Sequence, residues 1–393
     1  MNEELRRILR MVQEGKLTPE QAQMLIEALM ARPSRGERTR RSGEEAFEEA
    51  MEQLRKAFQG VDWKRIQQEW RRISEEIREQ TRRGWEEAQR AFRGMGRWDI
   101  DLRLGAVQDV EFDQAIDIPA GARLVVQNVL GDVHVRGEEG TTQMRVHAEG
   151  AIRAEEAAQA QTEASAWAPV IEQRGEVVFV RVARAGKFAS ADVEVTVPTG
   201  VSVEIQSTVG DVTVEGTRAS VSAESATGDI TVREAAGRIA LISASGDIQL
   251  QRNEADGITL QTKSGDIECE ECICTGTTGL VARTASGDIT IHQLRAQRVQ
   301  LSSVSGEMRL EFAEPFHGEA QLGNVSGDVM VTLPAGSCCE VRASTRGGEL
   351  YQQLPVQLQH NERYEWAGTI GTGTEVGKLE VKTVSGDITL RAL

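Results

Sequence analysis

Apolar residues change their period near residue 100. In the first part they recur at helical spacing. Leu5, Ile8, Leu9 and Val12 share one helical face over residues 2–14, and Gly15 is a stop signal. Thr18 then reads as an N-cap, Pro19 as the first helical residue and Gln21 as the closing member of a capping box. Ala22, Leu25, Ile26 and Leu29 form the apolar face that follows. The spacing predicts a helical hairpin over 1–32, too short to bury both faces alone, so partner helices are expected. Residues 33–43, "PSRGERTRRSG", read as a basic linker. Over 44–97 the apolar positions step by 4, 3, 4 and 3 (Phe47, Met51, Leu54, Phe58, Val61). They then step by 3, 4, 3 and 4 (Trp63, Ile66, Trp70, Ile73, Ile77). These are heptad steps, expected of a coiled coil or helical bundle. Trp63, Trp70 and Trp85 among arginines also fit an amphipathic helix lying on a membrane surface, although 10 basic against 7 acidic residues over 62–97 is a small surplus.

From 101 to 393 the period becomes two. Ile239 and Leu241 precede a turn that Ile248 and Leu250 follow, and Ile258, Leu260, Ile267 and Cys269 repeat the arrangement. Strict alternation predicts strands with one buried face. Ten copies of the unit align on Gly131, Gly210, Gly228, Gly246, Gly265, Gly287, Gly306, Gly327, Gly348 and Gly386. Between Gly210 and Gly348 the spacing stays within 18 to 22 residues, the mark of stacked repeats with variable loops. The wider gaps before Gly210 and after Gly348 are expected to hold skipped copies, the first with an insertion. A mainly β fold follows, a β-solenoid over 101–393 preceded by an α-helical region. A two-sheet sandwich or an irregular barrel is the alternative.

Two polar columns accompany the strands. Three residues before each glycine stands Asn128, Ser207, Ser225, Ser243, Thr262, Thr284, Ser303, Asn324, Thr345 or Thr383, and alternation points all of them inward. Immediately after each glycine stands an acid: Asp132, Asp211, Asp229, Asp247, Asp266, Asp288, Glu307, Asp328, Glu349 or Asp387. Unit charges about 5 Å apart repel by roughly 1 kcal/mol in water, so something must offset the second column in every copy. The expected device is local: a left-handed glycine, with the carboxylate capping amides of its own turn. Binding of cations or of a cationic peptide is the alternative. Dedicated calcium sites would need six to eight oxygens each, and one carboxylate per copy is a thin supply.

Composition sharpens this picture. Aromatic residues make up 4% of the 393-residue chain while glycine occurs 38 times, which suits thin repetitive β-structure. Residues 1–100 carry 21 basic and 19 acidic residues, leaving 24 basic and 42 acidic for 101–393. The acidic part should repel nucleic acid. No apolar run is long enough to span a membrane, and the charged N-terminus lacks a signal-peptide core; a cytoplasmic or membrane-peripheral location is expected, with surface exposure open. Cys269, Cys272 and Cys274 ("CEECIC") have a metal-like spacing, with Cys338 and Cys339 as conceivable further ligands. Cys269, however, takes the place of Leu250 and Ile291 in other copies, and reads as a buried apolar residue. His134, His147, His292, His317 and His360 share no spacing, and no phosphate loop or nucleophile elbow occurs. No catalytic, cofactor or metal residue is assigned, and an enzyme is not expected.

"EGKLTPEQAQMLIEAL" resembles the SHOCT-like helical hairpin found at the N-terminus of LiaX/YvlB-type bacterial proteins. The repeated "SGD[IV]", with "ADVEVTVPTGVSVEIQSTVGDVTV" (191–214) before it and "GKLEVKTVSGDITL" (377–390) after it, resembles the bacterial β-strand-repeat family labelled "putative adhesin". The resemblance implies a non-enzymatic solenoid with a helical regulatory or anchoring segment, acting in the cell-envelope stress response. The expected partners are other proteins and further copies of the chain through the N-terminal helices, with peripheral membrane contact through 44–97. The long Arg/Glu-rich segment departs from that pattern. A bactofilin-like structural polymer and an adhesin-type surface protein are the competing readings.

Overall fold

The computed structural model describes residues 106–393, apart from 120, 155, 183–187, 355, 363 and 373–375. The hairpin expected over 1–32, the linker over 33–43 and the helices over 44–97 lie outside the described residues.

Alternation along each repeat does what its period requires. "IQLQ" (Ile248–Gln251) buries Ile248 and Leu250 and leaves Gln249 and Gln251 half-exposed. Each repeat supplies a longer strand, a turn at the Gly-acid pair and a shorter strand. The longer strands pair in parallel with those of the next repeat, and the shorter ones do the same on the opposite side. Because the register is held, identical positions stack. Val203, Val221, Ile239, Ile258, Leu280, Val299 and Ala320 form one inward column. Val212, Ile230, Ile248, Ile267, Ile289, Met308 and Val329 form the facing one. The core is therefore two apolar walls facing each other, thin enough to be filled by Val, Ile and Leu, which accounts for the scarcity of rings. Full burial of such a side chain contributes about 1.5–3 kcal/mol, so each rung adds its own share of core.

Chain order and stacking order differ at both ends. Arg123–Leu130 lies between Ser202–Val209 and Val177–Arg181, and Val133–Glu138 lies between Val212–Glu215 and Phe188–Pro198. The gap before Gly210 thus holds one further rung, and not a series of skipped copies. Beyond that rung come two antiparallel elements. Gln143–Ala154 pairs with Phe188–Pro198 and then with Ala106–Asp117, while Val170–Arg174 pairs with Val177–Arg181. A ten-residue helix, Ala157–Ala166, joins these parts. Alternation gave no hint of it, because "AAQAQTEASA" has strong helix formers but no apolar stripe. At the other end Gly377–Lys382 and Ile388–Ala392 insert next to Glu319–Ser326 and Val329–Leu333. Cys339–Ser344 and Leu350–Gln353 follow them, and the hairpin Val356–Glu362 with Glu365–Ile370 closes the longer-strand side antiparallel. The gap after Gly348, about two periods long, is this cap, which corrects the expectation of a skipped copy there.

Glycine is required at the turn for two reasons. Gly265 has φ +150°, and a Cβ placed on it would lie 2.1 Å from the Gly246 carbonyl oxygen of the adjacent rung. The rungs approach through their backbones, and the angle lies beyond the compact left-handed region expected from the sequence. Gly265→Ala should therefore lower the stability of the solenoid by roughly 2–4 kcal/mol, read as a fall in the urea midpoint. A midpoint unchanged from the wild type would show that the rungs can part without cost.

Candidate functional site

The Gly-acid turns line up along one edge of the solenoid. Along most of the row an acid's own backbone N–H donates to the carboxylate of the adjacent rung. Asp229 N–H donates to Asp211 Oδ1 (2.9 Å), Asp247 N–H to Asp229 Oδ1 (2.8 Å) and Asp266 N–H to Asp247 Oδ1 (2.7 Å). Asp288 N–H donates to Asp266 Oδ1 (2.7 Å), and Glu307 N–H to Asp288 Oδ1 (2.7 Å). The capping role expected of the acids is present, but it is not local: the carboxylate caps the neighbouring rung and not its own turn. The physical reason is the glycine. With no Cβ between them, adjacent turns come close enough for a two-atom side chain to reach across.

Glutamate stands where the chain of bonds ends. Glu307 and Glu349 each donate a backbone N–H to an aspartate, Asp288 and Asp387. Their own longer side chains turn to Arg309 and to Tyr351, whose hydroxyl donates to Glu349 Oε2 (2.7 Å). That contact, with the Glu349 charge beside it, raises the Tyr351 hydroxyl pKa above its usual value.

The inward column does complementary work. All ten of its members are buried, from Asn128 through Thr383. Thr262 Oγ1 donates to the Gly246 carbonyl (3.1 Å), Thr284 Oγ1 to Gly265 (3.1 Å) and Thr345 Oγ1 to Gly386 (3.0 Å). Asn324 Nδ2 reaches both Gly306 (2.8 Å) and Gly327 (3.1 Å). These side chains satisfy turn carbonyls on the core side, while the carboxylates satisfy turn amides on the solvent side. A buried carbonyl left unpaired would cost about 1–3 kcal/mol, so the hydroxyls are structural.

The row is longer than its glycines reveal. Asp192, preceded by Ala191, accepts the Asp132 N–H (2.8 Å). The register then carries the row onto the antiparallel cap, with Glu149 opposite Asp192 and Glu111 opposite Glu149. Reading along the glycines misses these three. The signal for Asp192 is "ADVEV", whose Val193 and Val195 stack on Val133 and Val135. Beside the acids, Ser245, Ser264, Ser286, Ser305, Ser326 and Ser385 form an exposed hydroxyl row, one step before the glycines. At those six rungs the edge repeats one hydroxyl and one carboxylate, about 4.8 Å apart, while Leu130, Val209 and Gly347 take the hydroxyl's place before Gly131, Gly210 and Gly348.

The other candidates do not gather into a site. Cys269 stacks between Leu250 and Ile291, as its place in the repeat predicts, and all five cysteines are buried and form no disulfide. Cys269 donates its thiol to Cys272, which raises the Cys269 pKa and lowers that of Cys272. Burial pushes Cys274 and Cys339 up to about 12, which keeps those thiols protonated at neutral pH. His134 and His292 point outward, as alternation predicts. A depression of about 370 Å³ on the opposite turn is lined by Arg252, Glu271 and Arg295 among others. Its arginines pair laterally with Glu234 (3.2 Å) and Glu314 (3.3 Å), so it carries no concentrated charge.

A family model described as Toastrack DUF4097 matches residues 123–391, and one described as a SHOCT-like domain matches 3–34. Among solved structures, a "putative adhesin" from Parabacteroides distasonis is 11% identical with TM-score 0.32, covering 74% of this chain and 98% of its own. Another "putative adhesin", from Bacteroides fragilis, is 14% identical with TM-score 0.31, covering 71% and 96%. A "putative cell adhesion protein" from Clostridium sporogenes is 10% identical with TM-score 0.22, covering 73% and 100%. No curated protein matches the sequence.

Asp266→Asn keeps an oxygen acceptor and removes one charge from the row, so its stability should stay within about 0.5 kcal/mol of the wild type. Asp266→Ala removes the acceptor for Asp288 N–H and should cost about 1–2 kcal/mol. Urea denaturation of the two variants side by side checks this. Equal losses would mean that charge, and not acceptance, is what the position supplies.

Proposed function

The chain belongs to the Toastrack DUF4097 family, and from that premise we propose that it is a non-enzymatic binding scaffold whose acidic edge takes an extended cationic partner. One observation carries this reading: a single row of carboxylates runs from Glu111 to Glu349 across every rung. Glycoside hydrolases typically converge two carboxylates on one bond. Here the carboxylates are spread at rung spacing along a rigid ridge, a geometry suited to a partner that is itself long and repetitive. The aspartates of the row each accept a backbone amide, so that part of the ridge is held in place without its ligand. The uniform sign raises the local concentration of cations and speeds encounter with basic segments.

In the same proposal the SHOCT-like segment and the heptad-spaced residues 44–97 supply self-association, docking to a protein partner or contact with a membrane surface. The setting is the bacterial envelope-stress response. Among the described residues no helix is long and apolar enough to cross a membrane. A polymer built by stacking solenoid ends is disfavoured by the caps. Ala106–Asp117 and Val170–Arg174 at one end, and Val356–Glu362 at the other, are antiparallel and break the register that a further parallel rung needs.

The test uses the intact protein with Asp229, Asp247, Asp266 and Asp288 all changed to Asn, which preserves the acceptors. Binding to an immobilised lysine-rich peptide should fall at least tenfold in this variant, and wild-type binding should weaken as salt is raised. Undiminished capture by a folded variant would remove the acidic edge from the function.

A further inference from the structure

Where the acidic row crosses onto the N-terminal cap, its surroundings change. Strand Gln143–Ala154 lies between Ala106–Asp117 and Phe188–Pro198, and its outward residues fall into register rows. One row holds Glu111, Glu149 and Asp192; the next holds Asp113, His147 and Glu194. An imidazole thus enters a group otherwise made of carboxylates. One ligand atom from each of Glu111, His147 and Glu149 lies within 4.8 Å of the other two. His147 Nε2 stands 3.1 Å from Glu149 Oε1, while Nδ1 stands 3.8 Å from Asp113 Oδ2.

We propose that Glu111, His147 and Glu149 form a binding site for a zinc-type divalent cation, with Asp113 orienting the histidine. Three features of the geometry support the assignment. A tetrahedral ion with bonds of about 2.0–2.2 Å holds adjacent ligand atoms roughly 3.4 Å apart, close to the present His147–Glu149 separation. The two ring nitrogens face different groups, so Nε2 can bind the ion while Nδ1–H turns toward Asp113, the carboxylate–histidine–metal arrangement that sets tautomer and ring orientation. Glu111 and Glu149 stand directly opposite each other on paired strands, where like charges destabilise, and a cation between them reverses that term. Two carboxylates and one imidazole favour a borderline ion over calcium, which needs six to eight oxygens.

The other outward histidines provide the contrast. His134 meets Glu215 (3.7 Å), His292 meets Glu311 (3.7 Å) and His360 meets Glu362 (3.4 Å). Among the described residues, only at His147 do a histidine and two carboxylates converge. The site would tie the outermost strand, Ala106–Asp117, to its neighbour and close the edge of the solenoid. The row that forms a ridge of amide acceptors elsewhere would here become a set of ligands.

Calorimetric titration of the intact protein with Zn²⁺ tests the site, with circular dichroism confirming that each variant is folded. One ion should bind per chain with micromolar or tighter affinity. His147→Gln and Glu149→Gln should each weaken binding at least tenfold, while His360→Gln should bind as the wild type does. Ca²⁺ at a hundredfold excess should not displace the ion. Equal Zn²⁺ affinity in the wild type and His147→Gln would overturn the proposal. So would the absence of binding below millimolar Zn²⁺, or displacement by Ca²⁺.

Discussion

Everything along the turn edge depends on one hydrogen bond repeated from rung to rung, in which an acid's backbone N–H donates to the carboxylate of the acid beneath it. The bond exists because glycine precedes the acid, and the missing Cβ lets consecutive turns touch through their backbones. It also settles how a column of like charges survives. A hydrogen bond to a charged group contributes about 1.5–3 kcal/mol, against roughly 1 kcal/mol of repulsion between neighbours in water. Acceptance of the amide therefore outweighs or offsets the repulsion at each step. The arrangement is self-consistent, since the group that carries the charge is also the group that fixes the spacing.

The same turn divides labour between its two sides. Inward Ser, Thr and Asn satisfy glycine carbonyls against the core, and outward acids satisfy amides against solvent. Ser207 and Ser225 are the exceptions on the inward side, their buried hydroxyls making no hydrogen bond, and both sets leave the apolar columns free to stack in register. The outcome is a rigid ridge whose chemistry repeats with the backbone. Under the proposed function, binding by such a ridge would require no conformational change, and its partner would be selected by charge and length.

Much of the solenoid was legible in the sequence, because period two, the conserved distance from hydroxyl to glycine and the acid after it each have one physical meaning. The inward placement of Thr262 and the core role of Cys269 follow from alternation alone. What lay hidden depended on long-range register. Asp192 has no glycine before it, and Glu111 and Glu149 join the row only because antiparallel strands bring them there. The cross-rung direction of the carboxylate bond was equally hidden, since a single repeat reads the same whether Asp266 caps its own turn or the next. The end caps were misjudged for a related reason: a gap of about two periods says nothing about whether the chain continues stacking or folds back antiparallel. His147 gave no signal, because only Glu149 is near it in sequence, while Asp113 and Glu111 are 34 and 36 residues away along the chain and meet it only through strand pairing.

Amide hydrogen exchange in Asp266→Ala, resolved residue by residue, tests the cross-rung bond most directly. Protection should be lost at the amide of Asp288, one rung away, while Ile267 and Glu268 in the turn that carries the substitution keep theirs. Loss confined to Ile267 and Glu268, with Asp288 unchanged, would mean that the acid caps its own turn and that the rungs are not joined through their carboxylates.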